Sequence, residues 1–147
     1  MLELMKMDGR VAVVTGAGQG MGKEIAKALA SLGALVVVVT DGPRGARLFR
    51  AGSAPVYRPG HTVHVADTIG AGDAFTAGLL GGLSRRGLHS PEQLLRWAPG
   101  PLAESVEEAV LISALTAERV GADPPFALPG QLSDPSAPLT VAQLGYR

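Results

Sequence analysis

The sequence predicts one α/β domain, a three-layer αβα sandwich whose sheet is mainly parallel and carries one antiparallel hairpin. Three observations lead to this prediction: short β-branched runs, helical periods that follow them, and glycine-rich turns where strands lead into helices. Strands of a parallel sheet that are covered on both faces consist of continuous apolar runs, as the first two runs here do. A chain of 147 residues has the length of one ordinary domain, so we expect residues 1–147 to form a single unit.

The N-terminal part predicts a strand–helix–strand unit. Val11–Val14 is a short apolar run that ends in a glycine turn, and residues 35–39 form a second run that is almost entirely β-branched. Between them a helical period begins at Gly20, and its predicted inner face consists of Met21, Ile25, Leu29 and Leu32. Consecutive parallel strands joined by a helix form a βαβ unit.

The middle of the chain predicts a hairpin and then a further strand. Ala46–Arg50 and residues 54–58 read as strands joined by the turn at residues 51–53, and residues 61–66 read as another strand. Together with the first unit, the hairpin would extend the sheet.

Three helices are predicted in the second half. The first begins at Gly70, with Phe75, Leu79, Leu80 and Leu83 on its inner face and three glycines that would permit close packing: Gly78, Gly81 and Gly82. The second begins at Ser90–Pro91 and ends near residue 97. The third covers residues 102–120, and its predicted inner face consists of Val106, Ala109, Val110, Ser113, Ala114 and Ala117. We expect Arg85 and Arg86 on the surface at a helix C-terminus, and the chain after Gly121, including the tail at residues 133–147, as an extended segment.

Composition excludes several classes of protein. The 13 basic and 13 acidic residues cancel, so no net charge favours binding to nucleic acid or to an anionic membrane. The chain has no cysteine, which excludes disulfides and thiolate metal sites, and its three histidines do not show metal-ligand spacing. It has no apolar run near the length of a membrane span and no secretory signal. We therefore expect a cytoplasmic protein without a metal site, a nucleic-acid partner or a membrane partner, and a homo-oligomer remains open.

The first glycine-rich turn is TGAGQGMG, between the first strand and the first helix. Glycines at a helix N-terminus let a pyrophosphate approach unpaired backbone N–H groups, so the candidate ligands are Gly16, Gly18, Gly20 and Gly22. Residues 9–34 resemble the short-chain dehydrogenase/reductase family, which implies NAD or NADP in this loop and Asp41 as a ribose ligand. The Tyr-x-x-x-Lys pair of that family is absent, because His61 stands four residues after Tyr57. A purely structural strand–helix turn is the alternative.

The second glycine-rich turn is DTIGAGDAF, residues 67–75. Gly70, Ala71 and Gly72 would present N–H groups to an anion, and Asp73 would accept a proton from a hydroxyl that attacks a phosphoryl group. Residues 35–132 resemble the ribokinase-like carbohydrate kinases. That resemblance implies Asp73 as the catalytic base, residues 70–72 as the anion hole, and a T-x-G-x-x-G turn near ATP that is formed here by Thr40, Gly42 and Gly45.

The kinase resemblance also implies parts that this sequence lacks. The sugar-binding half of the family has no counterpart, and the family's Asn-x-x-Glu motif cannot occur because the sequence contains no asparagine. We therefore expect a Rossmann-like and ribokinase-like chimera, engineered rather than a naturally truncated gene, that binds a nucleotide or phosphate weakly, as ATP, ADP or NAD(P), without efficient catalysis. In this interpretation Asp73 is a vestigial base. Two alternatives stay open: a residual ATP-dependent phosphotransferase that uses Asp73, and a structural protein that binds no ligand.

Overall fold

Helices cover both faces of a four-stranded sheet. The computed structural model describes residues 5–96 and 99–125. Its strands are β1 (Val11–Val14), β2 (Val36–Thr40), β3 (Ala46–Arg50) and β4 (Val56–Arg58). Its helices are α1 (Gly20–Ser31), α2 (Ala71–Arg85), α3 (Pro91–Arg96) and α4 (Pro99–Ala117). The predicted α/β class is confirmed; the expectations for residues 126–147 lie outside the described residues.

The sheet has the order β1-β2-β3-β4 and is mixed. β1 pairs with β2 in parallel, whereas β2 with β3 and β3 with β4 are antiparallel. The predicted hairpin is therefore present, but parallel pairs do not predominate among the described strands, because β3 returns directly beside β2. Residues 61–66, predicted as a strand, form none: the N–H groups of Ala66 and Asp67 donate to the carbonyl of Ala117 on α4 instead of to a neighbouring strand.

The smaller core lies between α1 and one face of β1 and β2. Val37 and Val39 point to this side, where they pack with Ala12 and Ala26. The prediction of which residues form the inner face of α1 is partly wrong. Met21 is 84% exposed and Ile25 is 52% exposed, because the small side chain of Ala26 lies against the sheet and brings the helix close.

The larger core lies on the opposite face, under α2 and α4. Val36, Val38 and Leu48 from the sheet pack there against Phe75 and Leu79 from α2. The predicted inner faces of α2 and α4 are largely confirmed, although Leu80 is 59% exposed. No helix within the described ranges is long and apolar enough to cross a membrane.

The contact between α2 and α4 depends on glycine. A Cβ at Gly78 would lie 2.9 Å from Ile112 Cδ1 and 3.1 Å from the Cα of Ala109. A Cβ at Gly82 would lie 2.9 Å from Glu108 Oε2. The predicted close approach is thus present at these two positions. Gly81 faces away, and a Cβ there would meet only the end of the Arg85 side chain, at 3.5 Å.

A buried ionic cluster joins the same two helices. The side chain of Glu108 is 2% exposed; one carboxylate oxygen accepts from Arg86 at 2.7 Å and the other accepts from Arg85. The Arg86 side chain is 4% exposed, so the surface position expected for this residue is wrong. Burial lowers the pKa of Arg86, but the hydrogen bond and charge of Glu108 outweigh that effect and hold the pKa above its ordinary value.

Candidate functional site

A cavity of about 620 Å³ opens at the edge of the sheet where β1 and β2 end and β3 begins. Six of the residues predicted to bind ligands line it: Gly16, Thr40, Gly42, Gly45, Ala71 and Gly72. They come from both glycine-rich turns and from the turn after β2. The other predicted residues are outside the lining: Gly18, Gly20, Gly22, Asp41, Gly70 and Asp73.

The first glycine-rich turn is tied to the end of β2. The N–H of Gly16 donates to Thr40 Oγ1 at 2.8 Å, and the N–H of Ala17 donates to the Thr40 carbonyl at 3.0 Å. These two N–H groups are therefore already bonded within the protein. The turn lines the cavity through Gly16. A pyrophosphate-binding loop would need unpaired N–H groups, whereas those of Gly16 and Ala17 are bonded to Thr40.

Asp41 lies directly over Gly18. A Cβ at Gly18 would coincide with the Asp41 carboxylate, so only glycine fits beneath this side chain. The carboxylate accepts two hydrogen bonds from Arg44, at 2.6 and 2.8 Å. Chiefly through these bonds, Arg44 lowers the pKa of Asp41, which keeps the carboxylate charged. A fixed negative charge beside the loop opposes a pyrophosphate, and Asp41 is held by Arg44 instead of facing the cavity.

The turn after β2 is a short 3₁₀ helix, Gly42–Arg44. The N–H of Asp41 donates to the carbonyl of Gly45 at 2.8 Å, which closes the turn. Gly45 has φ 91°, and a Cβ there would lie 2.2 Å from the carbonyl oxygen of Arg58 and 2.5 Å from the nitrogen of Gly60. Any other residue would push the turn away from the coil after β4, so glycine at position 45 keeps this wall of the cavity in place.

The second glycine-rich turn leads into α2 through Gly70, whose φ of 77° is left-handed. The first N–H groups of a helix have no intrahelical acceptor. Those of Gly72 and Asp73 have no protein acceptor in the described part of the chain, and Gly72 lines the cavity. Asp73 is exposed in the first turn of the helix, one residue beyond the lining. The helix start thus has N–H donors without a protein acceptor, the kind of group that can bind an anion, with a carboxylate beside them.

Asp67 fixes the turn in position. Its Oδ1 accepts from the N–H of Ile69 and its Oδ2 accepts from the N–H of Gly121, both at 3.0 Å. These hydrogen bonds lower the pKa of Asp67. On the other side of the turn, a Cβ at Gly70 would lie 2.5 Å from the Cβ of Ala122. The segment after α4 therefore holds the second glycine-rich turn from two sides.

Part of the cavity wall was not predicted from the sequence. His61, Thr62 and Val63 line it from the coil after β4, and α4 adds Ser113 and Ala114. The coil had been read as a strand, and the α4 residues had been assigned only to packing. The small side chains at 113 and 114 are the one signal in the sequence that space is left beside the helix.

Fold and cavity together define a three-layer α/β protein with a ligand-sized cavity at the ends of its parallel strands, the usual place for a binding site in such folds. The sequence matches the pfkB family of carbohydrate kinases over residues 12–128. The chain belongs to this family.

Solved structures of sugar kinases have the same fold. Aminoimidazole riboside kinase from Salmonella enterica is 30% identical with a TM-score of 0.62, over 76% of this chain and 37% of that chain. Fructokinase from Vibrio cholerae is 29% identical with a TM-score of 0.59, over 76% of this chain and 36% of that chain. Their structures were solved with an ATP analog and with fructose and ADP, respectively. The chain spans somewhat more than a third of the length of these kinases.

A shorter similarity concerns an oxidoreductase. An uncharacterized oxidoreductase from Methylorubrum extorquens is 63% identical over 35 residues, which are 24% of this chain and 14% of that protein. This match is too short to assign an activity, and binding of NAD(P) is not supported.

The prediction of an engineered chimeric scaffold without efficient catalysis is wrong. The family match begins at residue 12, within the segment that resembled a dehydrogenase, and continues to residue 128. The neighbouring structures of more than 25% identity described above are sugar kinases. The sequence alone misled because each glycine-rich turn was judged separately, whereas the fold combines them around one cavity.

Proposed function

We propose that this chain is an ATP-dependent phosphotransferase that acts on a carbohydrate hydroxyl, with Asp73 as the catalytic base. The observation that carries the proposal is the start of α2: unpaired N–H groups at the cavity, followed at once by an exposed carboxylate. Family membership supports the same reaction class.

The cavity suits a nucleotide. Its volume of about 620 Å³ lies within the usual range of ligand sites. Apolar side chains such as Val63, Phe75 and Val110 line the cavity and would contact the adenine ring of the nucleotide. Gly72 at the helix start would contact the phosphates. Gly42 and Gly45 of the turn after β2 line the same cavity.

The proposed reaction requires one proton acceptor. The acceptor hydroxyl oxygen forms a bond to the γ-phosphorus of ATP, the bond from that phosphorus to the bridging oxygen breaks, and ADP leaves. The hydroxyl proton passes to the Asp73 carboxylate, and the N–H groups at the start of α2 stabilise the negative charge on the phosphoryl oxygens. Mg²⁺ would accompany ATP in the assay, since it is usually held by one or two carboxylates together with the substrate phosphates.

The proposed acceptor is a sugar or a riboside. Support comes from the named relatives, one an aminoimidazole riboside kinase and the other a fructokinase. Because the chain spans only part of their length, the acceptor and the activity of the whole protein are both proposals.

The test measures ADP release from ATP and Mg²⁺ with fructose, ribose or aminoimidazole riboside as acceptor. Asp73→Asn should lower turnover about 10²- to 10⁴-fold, the usual contribution of a general base. Glu24→Gln is the matched control, because it also converts a carboxylate to an amide, lies on exposed α1 and should leave turnover unchanged. Turnover in Asp73→Asn that equals the wild type would exclude Asp73 as the base.

Binding is measured separately from chemistry. Addition of ADP to the wild type and to Asp73→Asn should shift the amide resonances of Gly16, Gly45 and Gly72 in both proteins. If none of these resonances moves at millimolar ADP, the cavity is not the nucleotide site.

A separate origin of residues 1–34 stays a hypothesis. The resemblance of residues 9–34 to the short-chain dehydrogenases motivates it, and a kinase match that begins at residue 12 opposes it. Comparison of this segment alone with both families would decide: higher identity to the kinases would end the hypothesis.

A further inference from the structure

The lining of the cavity contains almost no ionisable side chains. Glycine and apolar residues form most of it, and the described residues that line it include no lysine, arginine, aspartate or glutamate. The one ionisable side chain among them is His61, which is exposed in the coil after β4. A charged group that leaves water without a counter-charge is costly, so a phosphate here would depend on backbone N–H groups and hydroxyls.

Two carboxylates stand directly beside the lining. Asp73 follows the lining residue Gly72 and has no ion pair in the described part of the chain. Asp41 follows Thr40, and its charge is compensated by the two hydrogen bonds from Arg44. The uncompensated charge at this edge of the cavity is therefore negative, which opposes a diphosphate or triphosphate that arrives without a cation.

Neutral hydroxyl groups in the lining are available to a ligand. Those of Thr62, Thr68 and Ser113 have no hydrogen-bond partner among the described residues. On α4, the Thr116 hydroxyl donates to the carbonyl of Ile112 at 2.8 Å, whereas Ser113 makes no such bond within the described ranges. A hydroxyl can both donate and accept, which suits the ribose hydroxyls and ring nitrogens of an uncharged nucleoside.

The apolar part of the lining suits a flat aromatic ring. Phe75 and Val110 are 1% and 5% exposed, so the surface that they present to the cavity belongs to the packed core. The small side chains of Ala114 and Ala117 leave space beside them. A site of apolar surface with a few convergent hydroxyls is typical of sites that bind small organic molecules.

We infer that the cavity recognises the nucleoside part of its ligand and therefore also binds uncharged ribosides, which compete with ATP. The inference rests on the proposed function, because it concerns the nucleotide site of that reaction and adds a second chemical class to its ligands. A riboside acceptor at high concentration would consequently inhibit its own phosphorylation by occupying this cavity.

The test compares adenosine, ADP and inorganic pyrophosphate in calorimetric titration without Mg²⁺. Adenosine should bind within about fivefold of ADP, which is about 1 kcal/mol, and pyrophosphate should bind more weakly than either. A preference for ADP over adenosine of more than about fivefold would overturn the inference, and so would pyrophosphate that binds as tightly as adenosine. His61→Gln should leave the ratio of the adenosine and ADP affinities unchanged. A selective loss of ADP affinity would show that His61 supplies a charge for the phosphates and would also overturn the inference.

Ala114→Leu locates the binding. The larger side chain would fill space beside α4, so both adenosine and ADP should lose at least about tenfold in affinity. Ala77→Leu is the matched control, because it makes the same change at an exposed position of α2 outside the lining and should leave both affinities unchanged. Adenosine affinity that survives Ala114→Leu would overturn the inference. If thermal unfolding shows that Ala114→Leu does not fold, the wild type decides: adenosine should shift the amide resonances of Gly45 and Gly72, and resonances that do not move would overturn the inference.

Failure of the inference and failure of the proposed function can be told apart. In the ADP-release assay, adenosine should raise the KM for ATP and leave kcat unchanged. If phosphoryl transfer occurs but ADP binds far more tightly than adenosine, only the inference fails. If adenosine and ADP bind with similar affinity and no transfer occurs, only the proposed function fails. If neither ligand binds, both fail.

Discussion

Glu108→Gln should be strongly destabilising, because it leaves a buried guanidinium without its counter-charge. The Arg86 side chain is 4% exposed and would keep the Gly82 carbonyl at 3.1 Å, the distant Glu104 carboxylate at 3.5 Å and at most a neutral amide oxygen at position 108. Arg85 is 19% exposed and can turn toward water, so the cost arises mainly from Arg86. Breaking a buried ion pair in this way costs about 3–5 kcal/mol. Glutamine has nearly the volume of glutamate, so no cavity adds to this figure.

Urea unfolding measures the effect. With a typical slope of about 2 kcal/mol per molar urea, the midpoint of Glu108→Gln should fall by about 1.5–2.5 M. Glu104→Gln is the matched control: its side chain is 51% exposed at 3.5 Å from Arg86, so the change should cost at most about 1 kcal/mol. A double variant, Glu108→Leu with Arg86→Met, should recover much of the loss, since it removes both charges. Equal midpoints for Glu108→Gln and Glu104→Gln would refute the reasoning and show that water solvates the cluster.

Three further predictions concern the glycines and Asp67. Gly82→Ala should destabilise the chain by about 1–3 kcal/mol in urea unfolding, because its Cβ would meet Glu108 Oε2 at 2.9 Å. Gly81→Ala should instead stabilise the chain by up to about 1 kcal/mol through helix propensity. A Gly82→Ala variant more stable than Gly81→Ala would contradict the described contact between α2 and α4. Gly70→Ala should lower the affinity for ADP in calorimetry at least tenfold, since φ 77° and the Ala122 contact both oppose a side chain; unchanged affinity would show that the turn does not form the site. Hydrogen bonds from two backbone N–H groups lower the folded-state pKa of Asp67, so its stabilising effect is complete above the unfolded pKa of about 3.9 and is lost as pH falls through the lower folded value. The stability difference between wild type and Asp67→Asn, measured by thermal unfolding, should be constant from pH 6 to 8 and shrink below about pH 4. A difference that grows toward low pH would contradict a lowered folded-state pKa of Asp67.

Sequence patterns predicted the elements whose residues pack locally against one another. The bounds of β1 and β3 were predicted correctly because a short apolar run defines the first and an alternation of side chains defines the second. Residues 61–66 alternate in the same manner, yet their hydrogen bonds go to the end of α4, a partner about fifty residues away in sequence. A local pattern cannot identify such a partner, and the same limit applies to the burial of Arg86 by Glu108.

The candidate site was predicted in its parts, whereas the sequence left open whether the two glycine-rich turns share one crevice. Gly16 and Gly72 were each selected because glycine at a strand–helix junction is the local signature of an anion site. That both line one cavity depends on the packing of α2 beside β1, which no local pattern contains. Gly18 lies outside the lining, and Asp41 lies over it because Arg44 binds the Asp41 carboxylate, a contact that no local pattern of the glycine-rich turn contains. The role of Asp73 as a base stays a prediction.

The two hydrogen bonds that the N–H groups of Gly16 and Ala17 donate to Thr40 would link occupancy of the cavity to folding of the N-terminal unit. A ligand that binds only the folded chain stabilises it by an amount set by its concentration, about 2.7 kcal/mol at one hundred times the dissociation constant. Since Thr40 and Gly16 both form the cavity wall, that stabilisation would extend through the sheet to β1, whose only strand neighbour among the described residues is β2. A nucleotide that binds in the cavity should consequently slow amide hydrogen exchange in β1 as well as at the start of α2.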